Sequence, residues 1–457
     1  MSSSAFNSAL SALVAHRTAA ELRAGNVANA QTDGYKSFEA RLSALMGAPG
    51  PNGRVAGGGV AATSAPSAGR SGAVFATASA TSIAATGSGW LPVRTAPGAS
   101  EQLYTRRGDF APDENGYLRN GAGHVLFARR VGESGAPVPV QIDRASLPAR
   151  ASSSAVYAAN LPANAPPGTV VDGGTLSIVD AQGIVRAFAV TWSNRTTPGG
   201  VLPGVPAGPA TGSVAIPASA PGTVPQWRAV LTAPAGSANG TESLALDFTF
   251  GTGAGVNAGL PIAIAVQSTD AATLAGAVAG GRVTLGYAAP GLASAPVQSV
   301  DVEFGAPSPT PGAASLLGVA GGTTAFAAAG VSVARAGADG DPAGDFVGAA
   351  IDDSGRIQAL YSNGRRVAQY DVALAHFAAP GALIARDGAA FAASAAAGEA
   401  RLSAAGGGAL SANAREGANV DLGVEMVRTL TAQRAYQAGA RLVATADEML
   451  AELTRKR

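Results

Sequence analysis

Helical periodicity is confined to the two ends of this chain. Phe6, Leu10, Leu13, Ala20, Ala24 and Val27 recur at steps of three, four or seven near the start, and Leu422, Met426, Thr429, Tyr436, Ala440, Val443 and Leu450 do the same at the finish. Such spacing puts each set on one face of a 3.6-residue helix. Almost all of the 457 residues lie between the two stripes, in strand-like and Gly/Pro/Ala-rich sequence. A chain with that layout is expected to pack its termini together. The second helix is predicted from a cap at or near Asn419 to Leu453, with no Pro and only Gly423 and Gly439 inside it. At 1.5 Å per residue it is a rod about 50 Å long. Its stripe of Ala, Thr and Gln buries too little apolar surface to offset the entropy of ordering, so the ends are expected to order against neighbours. Packing on the body of a single globular domain would account for the stripes equally well.

Length allows two to four domains. Charged residues make up 13% of the chain, with a net charge of +1, 61 Gly, 28 Pro and 5% aromatics. Basic residues are scattered, so nucleic acid and anionic membrane are not expected partners. Lys36 and Lys456 are the only lysines, and cysteine is absent. The missing cysteine excludes a disulfide framework, a thiolate metal site and a Cys nucleophile. No basic segment followed by an apolar run opens the chain, and no stretch reaches about 18 uninterrupted apolar residues. Neither a cleaved signal peptide nor a membrane span is therefore expected.

The stretch 25–36 supplies the Asn, Asp and Gly of a helix end and turn. A small amphipathic segment is expected over 38–46, and 47–72 reads as linker or extended arm. Short strands of a meander follow, with turns at 113–116 and 120–121, and the same texture returns at 346–351 and 357–361 around a turn at 352–355. In between, 175–179, 184–192, 227–232 and 244–250 are strand candidates of an all-β insert, with a long disordered loop expected near 203–225.

Candidates for chemistry are sparse. His16, His124 and His376 are far apart and carry no metal-ligand spacing. The Gly-rich stretches 251–255 and 87–89 lack the strand, helix and Lys of a phosphate loop. Asp339-Gly340-Asp341 with Asp345 reads as a solvated turn rather than a calcium site. No catalytic, cofactor or metal residue is expected, and the chain is not read as an enzyme.

Three segments carry a resemblance. Asn26-Val27-Ala28-Asn29 with Thr32-Asp33-Gly34-Tyr35-Lys36 is similar to the N-N-I-A-N-x-x-T-x-G-[FY]-K signature of the bacterial flagellar axial proteins, the rod, hook and hook-associated family, with Gly25 in place of the first Asn. Tyr104-Thr105-Arg106-Arg107-Gly108-Asp109-Phe110, continued by Asp113, Asn115 to Leu118 and Asn120 to Gly123, resembles that family's F-[ST]-R-x-G-x-F hairpin. Asn419-Val420-Asp421-Leu422, Glu425-Met426-Val427, Gln433-Arg434-Ala435-Tyr436-Gln437-Ala438 and Ala446-Asp447-Glu448-Met449-Leu450 are similar to its C-terminal helix. A segment over 347–377 looks hook-like, and Val179-Asp180-Ala181-Gln182-Gly183 is a weak echo of the hook insert. Within the family, length and the large β insert favour the hook type; a distal rod or hook-associated protein is the runner-up.

The resemblance implies a mainly β fold with terminal α-helices paired in a coiled-coil-like layer and two nested all-β domains between them. The expected division is 1–33 with 416–457 as helical polymerisation domain, 34–72 as linker, 73–144 with 326–415 as inner β domain and 145–325 as outer insert. It implies a self-assembling tubular subunit that acts as a universal joint, located outside the cell in the flagellar hook. Its partners would be copies of itself, the rod, hook-cap and hook-filament junction proteins and the export apparatus. Phe6, Leu10, Leu13, Val27, Asn29, Leu422, Met426, Gln433, Tyr436, Val443 and Leu450 are the residues expected at subunit contacts. A secreted β-rich adhesin is the alternative from another class; it would use the insert and not need the terminal helices.

Overall fold

The computed structural model describes residues 2–46, 58–195, 225–232, 243–250, 261–268, 276–279, 282–287, 298–304, 323–403 and 410–455. The chain forms two compact units, Met1–Ala145 with Phe346–Arg457, and Ser146–Asp345. The loop expected near 203–225 falls almost wholly outside the described residues, as does the Gly-rich stretch 251–255.

The first unit holds both helices, α1 (Ser2–Ala28) and α2 (Leu422–Arg455). They run antiparallel: Arg23 meets Glu425, while Leu13 and the Ala9 carbonyl lie over Gly439. Asp421 starts α2, its Oδ1 accepting from the Val424 backbone N–H at 3.1 Å. Beside α1, Phe38–Ala44 and Val60–Pro66 pair antiparallel in full register. Composition had pointed to a linker over part of this stretch. Small side chains leave the backbone groups needing partners, and a strand pair laid along α1 supplies them. Ser8 donates to the Gly58 carbonyl and Ser11 accepts from the Val60 N–H.

The β body of this unit is stitched from both halves of the chain. Val74–Ala76 pairs with Ala414–Glu416, Ile83–Ala85 with Leu410–Ala412, and Leu103–Thr105 with Ala390–Ala392. The order Phe346–Ile351, Arg356–Tyr361, Arg366–Asp371, Val125–Arg130, Leu91–Arg94, Leu103–Thr105 continues through these pairings. Leu91, Val93, Phe110, Leu126, Ile357 and Leu374 fill the core beneath. The strand Leu103–Thr105 is short, and beyond it Gly108 lies so close to Ile83 that any Cβ would collide with the Ile83 carbonyl.

In the second unit, Val170–Val179, Val185–Asn194, Gln226–Thr232, Ser243–Phe250 and Pro261–Ser268 form an antiparallel meander. Burial alternates along it, with Phe188, Val190 and Trp192 inward from one strand and Trp227, Ala229 and Leu231 from the next. A second sheet is built on Ser154–Pro162, which pairs in parallel with Gln298–Glu303 and antiparallel with Ser332–Ala338. The two sheets meet across one core, where Tyr157, Trp192, Phe248 and Phe304 stack with centroids 5.0 to 6.2 Å apart.

One turn recurs in both units. In 113–116, 180–183 and 352–355 an Asp accepts backbone N–H bonds from residues two and four ahead, and the Gly three ahead takes φ of 84°, 83° and 78°. The other carboxylate oxygen holds the side chain six ahead: Arg119, Arg186 or Gln358. The motif is local, so the D-x-x-G spacing alone suffices to form it.

His124 is buried in the hairpin after Asn120, and Nδ1 has no partner among the described residues. Burial, with Arg107 adding to it, holds its pKa below the ordinary 6.5. The unfolded chain then takes up the proton first as pH falls, so stability is full above about pH 6.5 and declines below it toward the lower folded pKa. Thermal melts between pH 7.5 and 5 are expected to show this fall, and His124→Gln should flatten it.

Candidate functional site

The sequence motifs converge on one buried polar junction in the first unit, where α1 ends, α2 begins and the β body meets both. Asn26, fully buried on α1, makes a two-way clasp with Phe38: Nδ2 donates to its carbonyl at 2.9 Å and Oδ1 accepts from its N–H at 2.8 Å. Tyr35 also donates to Oδ1, and Asn26 Nδ2 reaches Glu425 Oε2 at 3.2 Å. Arg23 donates to both oxygens of Glu425, 3.2 and 3.3 Å away. Burial, helped by the Glu425 charge, pushes the Tyr35 hydroxyl above its ordinary pKa and keeps it a donor. Asn419 accepts from Ser37 N–H at 2.7 Å and donates to the Ser67 and Arg70 carbonyls. It therefore ties the strand pair to the entry of α2, while Asp421 does the capping.

Behind this clasp lies a charge triad. The Lys36 and Glu416 side chains are both 0% exposed and pair at 2.6 Å, and Arg106 Nη1 meets the second Glu416 oxygen at 3.1 Å. Gly72 N–H also donates to Glu416, Lys36 donates to the Arg70 carbonyl, and Arg106 donates to Ala85 and Gly87 carbonyls. The Arg106 guanidinium sits 5.1 Å from the Trp90 ring. Burial lowers the pKa of both Lys36 and Arg106, and Glu416 works against it by favouring their charged forms. One carboxylate thus compensates two buried cations that lie 380 and 310 residues from it along the chain. It holds the N-terminal turn, the hairpin and the approach to α2 in one place.

The spacing of motifs pointed to Asn26, Lys36 and Asn419 but not to their partners. Glu425 belongs to the C-terminal helix motif, which assigns it no partner, and Glu416 belongs to no local pattern. The one sequence signal for Glu416 is scarcity: in a chain with 13% charged residues, an acid flanked by strand and helix motifs is a candidate for burial in a pair.

The residues expected at subunit contacts divide. Phe6, Leu13 and Val27 are half-buried along α1, and Asn29 is half-buried, its side chain donating to the Gly25 carbonyl and accepting from Thr32 at the helix end. Leu10 is exposed. On α2, Val443 is half-buried, but Leu422, Met426, Gln433 and Tyr436 face outward. The Leu450 side chain lies outside the described set. The face α2 turns to α1 is Glu425, Thr429, Ala432, Ala435, Gly439 and Val443, a seam of small residues at helical spacing. A Cβ on Gly439 would press on the Leu13 side chain. The large apolar residues Val424, Met426, Val427, Leu430, Leu442 and Met449 remain exposed on the other sides of the helix.

Among the described residues no group of His, Asp and Glu is arranged to hold a metal ion. The turn at Asp339 is tied to the start of the strand Ser154–Pro162: the carboxylate accepts from Ser153 and Ser154 N–H and from the Ser153 hydroxyl. Slight burial opposes these bonds, and their net effect lowers its pKa to about 2. No described helix is long and apolar enough to cross a membrane.

Residues 411–456 match the family model described as flagellar basal body rod FlgEFG protein C-terminal. The chain is similar to flagellar hook proteins FlgE. It is 35% identical over 145 residues to that of Brucella abortus, a stretch covering 30% of this chain and 36% of the relative's length. It is 27% identical over 441 residues to that of Rhizobium meliloti, covering 93% of this chain and 92% of that protein. Against the crystal structure of Helicobacter pylori flagellar hook protein FlgE2 the TM-score is 0.45 with 10% identity, covering 75% of this chain and 99% of that one.

Proposed function

We propose that this chain is the structural subunit of a bacterial flagellar hook, assembling with copies of itself into a curved tube that passes torque from rod to filament. The observation that carries the reading is the surface of α2. A helix 34 residues long packs on its own chain through a seam of small residues and leaves large apolar side chains exposed on its other sides. Helices that are apolar around most of their circumference are stable when buried, and further copies of the chain are the occupants that a hook reading supplies. Similarity to hook proteins along nearly the whole chain supports the same reading.

In this proposal α1 and α2 form the polymerising layer, and the β body of the first unit and the all-β second unit are the domains they carry. Rod, hook-cap and junction proteins are the end partners, and export proceeds through the flagellar apparatus. Many separate contacts along the two helices suit subunits that slide as the joint turns. Purified chain at rising concentration is expected to give hook-width tubes by electron microscopy, with α1 and α2 cut quickly by protease in free subunits and protected in tubes. Failure to form any polymer, together with equal protease protection at all concentrations, would overturn the reading.

A further inference from the structure

The first unit contains a groove of about 430 Å³ between three elements: Ala19 of α1, Ala40 and Leu42 of the strand Phe38–Ala44, and Ala432 and Ala435 of α2 line it. These small apolar side chains make up half of the lining, with His16, Arg23, Glu39, Arg428 and Thr431 as the polar remainder, and leave room for a row of large side chains. α2 carries such a row. Met426, Val427 and Leu430 are 60%, 64% and 56% exposed. At about 100° per residue they fall on the side of the helix opposite Arg428, Ala432 and Ala435, which border the groove. One helix therefore has the groove on one side and the apolar ridge on the other.

Resting on the self-assembly reading above, we propose that the groove receives the Met426–Val427–Leu430 ridge of a second copy of this chain. Because ridge and groove are different surfaces of each copy, the contact is heterologous. A copy seated by its ridge still offers its own groove, so the contact repeats in an open series instead of closing into a pair. Charge fits the same pairing. From 426 to 446, α2 carries Arg428, Arg434 and Arg441 and no acidic residue. Arg434 projects on the ridge side, one turn beyond Leu430. Glu39 stands at the groove's lip with a 40% exposed side chain, 3.9 Å from Arg70. Arg23 and Arg428, which also line the groove, both lean to Glu425, at 3.2 and 3.6 Å, which reduces their repulsion of an incoming arginine.

The chain has no cysteine, so engineered pairs report cleanly. The double variant Leu42→Cys with Leu430→Cys, assembled and then oxidised, is expected to give a ladder of dimer, trimer and longer species on a non-reducing gel. The two single variants should give none. Leu42 and Leu430 of one copy lie across α2 from each other, so a bond within the chain is not expected. Independently, Glu39→Arg or Arg434→Glu should raise the concentration needed for assembly about tenfold, and the two together should restore it. Tubes that form without the ladder, or a ladder that stops at dimer through Leu42→Cys alone, would overturn the groove pairing and leave the hook reading standing. Absence of tubes from the unaltered chain would overturn both.

Discussion

Replacing Glu416 by Ala is expected to lower the thermal transition of the helix-bearing unit by on the order of 10 °C, while the transition of 146–345 stays in place. The reason lies in what the substitution leaves behind. Lys36 and Arg106 are almost wholly buried, and Glu416 is the carboxylate that meets both. Removing one partner of a buried ion cluster costs about 3–5 kcal/mol, because the remaining charge has lost its compensation without regaining water. Here two cations are stranded. Glu416→Gln should cost less, since an amide oxygen still accepts from Gly72 N–H and one cation. Lys36→Met with Arg106→Met and Glu416→Met should recover much of the loss, because no buried charge then needs a partner. Calorimetry of the four proteins checks the order. If Glu416→Ala melts like the unaltered chain, the triad does not hold the junction.

Gly34→Ala is the second large effect. Gly34 sits at φ 67°, a region that Ala enters only at a cost of about 1–2 kcal/mol. An added Cβ would also collide with the backbone of Arg106 and Arg107, so relief requires one chain segment to move away from the other. Moving the turn breaks the Gly34 N–H bond to the Glu416 carbonyl and draws Lys36 from the triad. A total loss of about 3 kcal/mol or more is expected, with impaired assembly. Gly25→Ala is the control: nothing lies within 4 Å of its added Cβ, and Ala in a helix interior is favoured over Gly by about 1 kcal/mol. Urea unfolding should therefore move in opposite directions for two glycines nine positions apart.

These two positions mark where local pattern stops. The D-x-x-G turns, the four insert strands and both helices were legible because each depends on contacts within a few residues: side chain to backbone two and four ahead, alternation of period two, or a face of period 3.6. The T-x-G-Y-K turn was legible as a motif. Its requirement for glycine at 34 comes from Arg106 and Arg107, about 70 residues away, and no spacing reports that. The α2 stripe meets the same limit. Periodicity marked Leu422, Met426 and Tyr436 as a face to bury, yet α1 takes the small-residue seam through Glu425, Ala432 and Gly439. A helix apolar on several sides has more than one stripe, and which one meets its own chain depends on the partner's shape.

The sequence by itself determined where the helices and turns are, that the middle is β, and that both ends have apolar surface to cover. Tertiary structure decided the rest. It brought Lys36, Arg106 and Glu416 into one buried cluster, paired strands from opposite halves of the chain, and left the large residues of α2 outward. Backbone periodicity is a short-range property and survives in the order of residues. Compensation of buried charge and the choice between competing helix faces depend on groups hundreds of residues apart, and only folding brings those together.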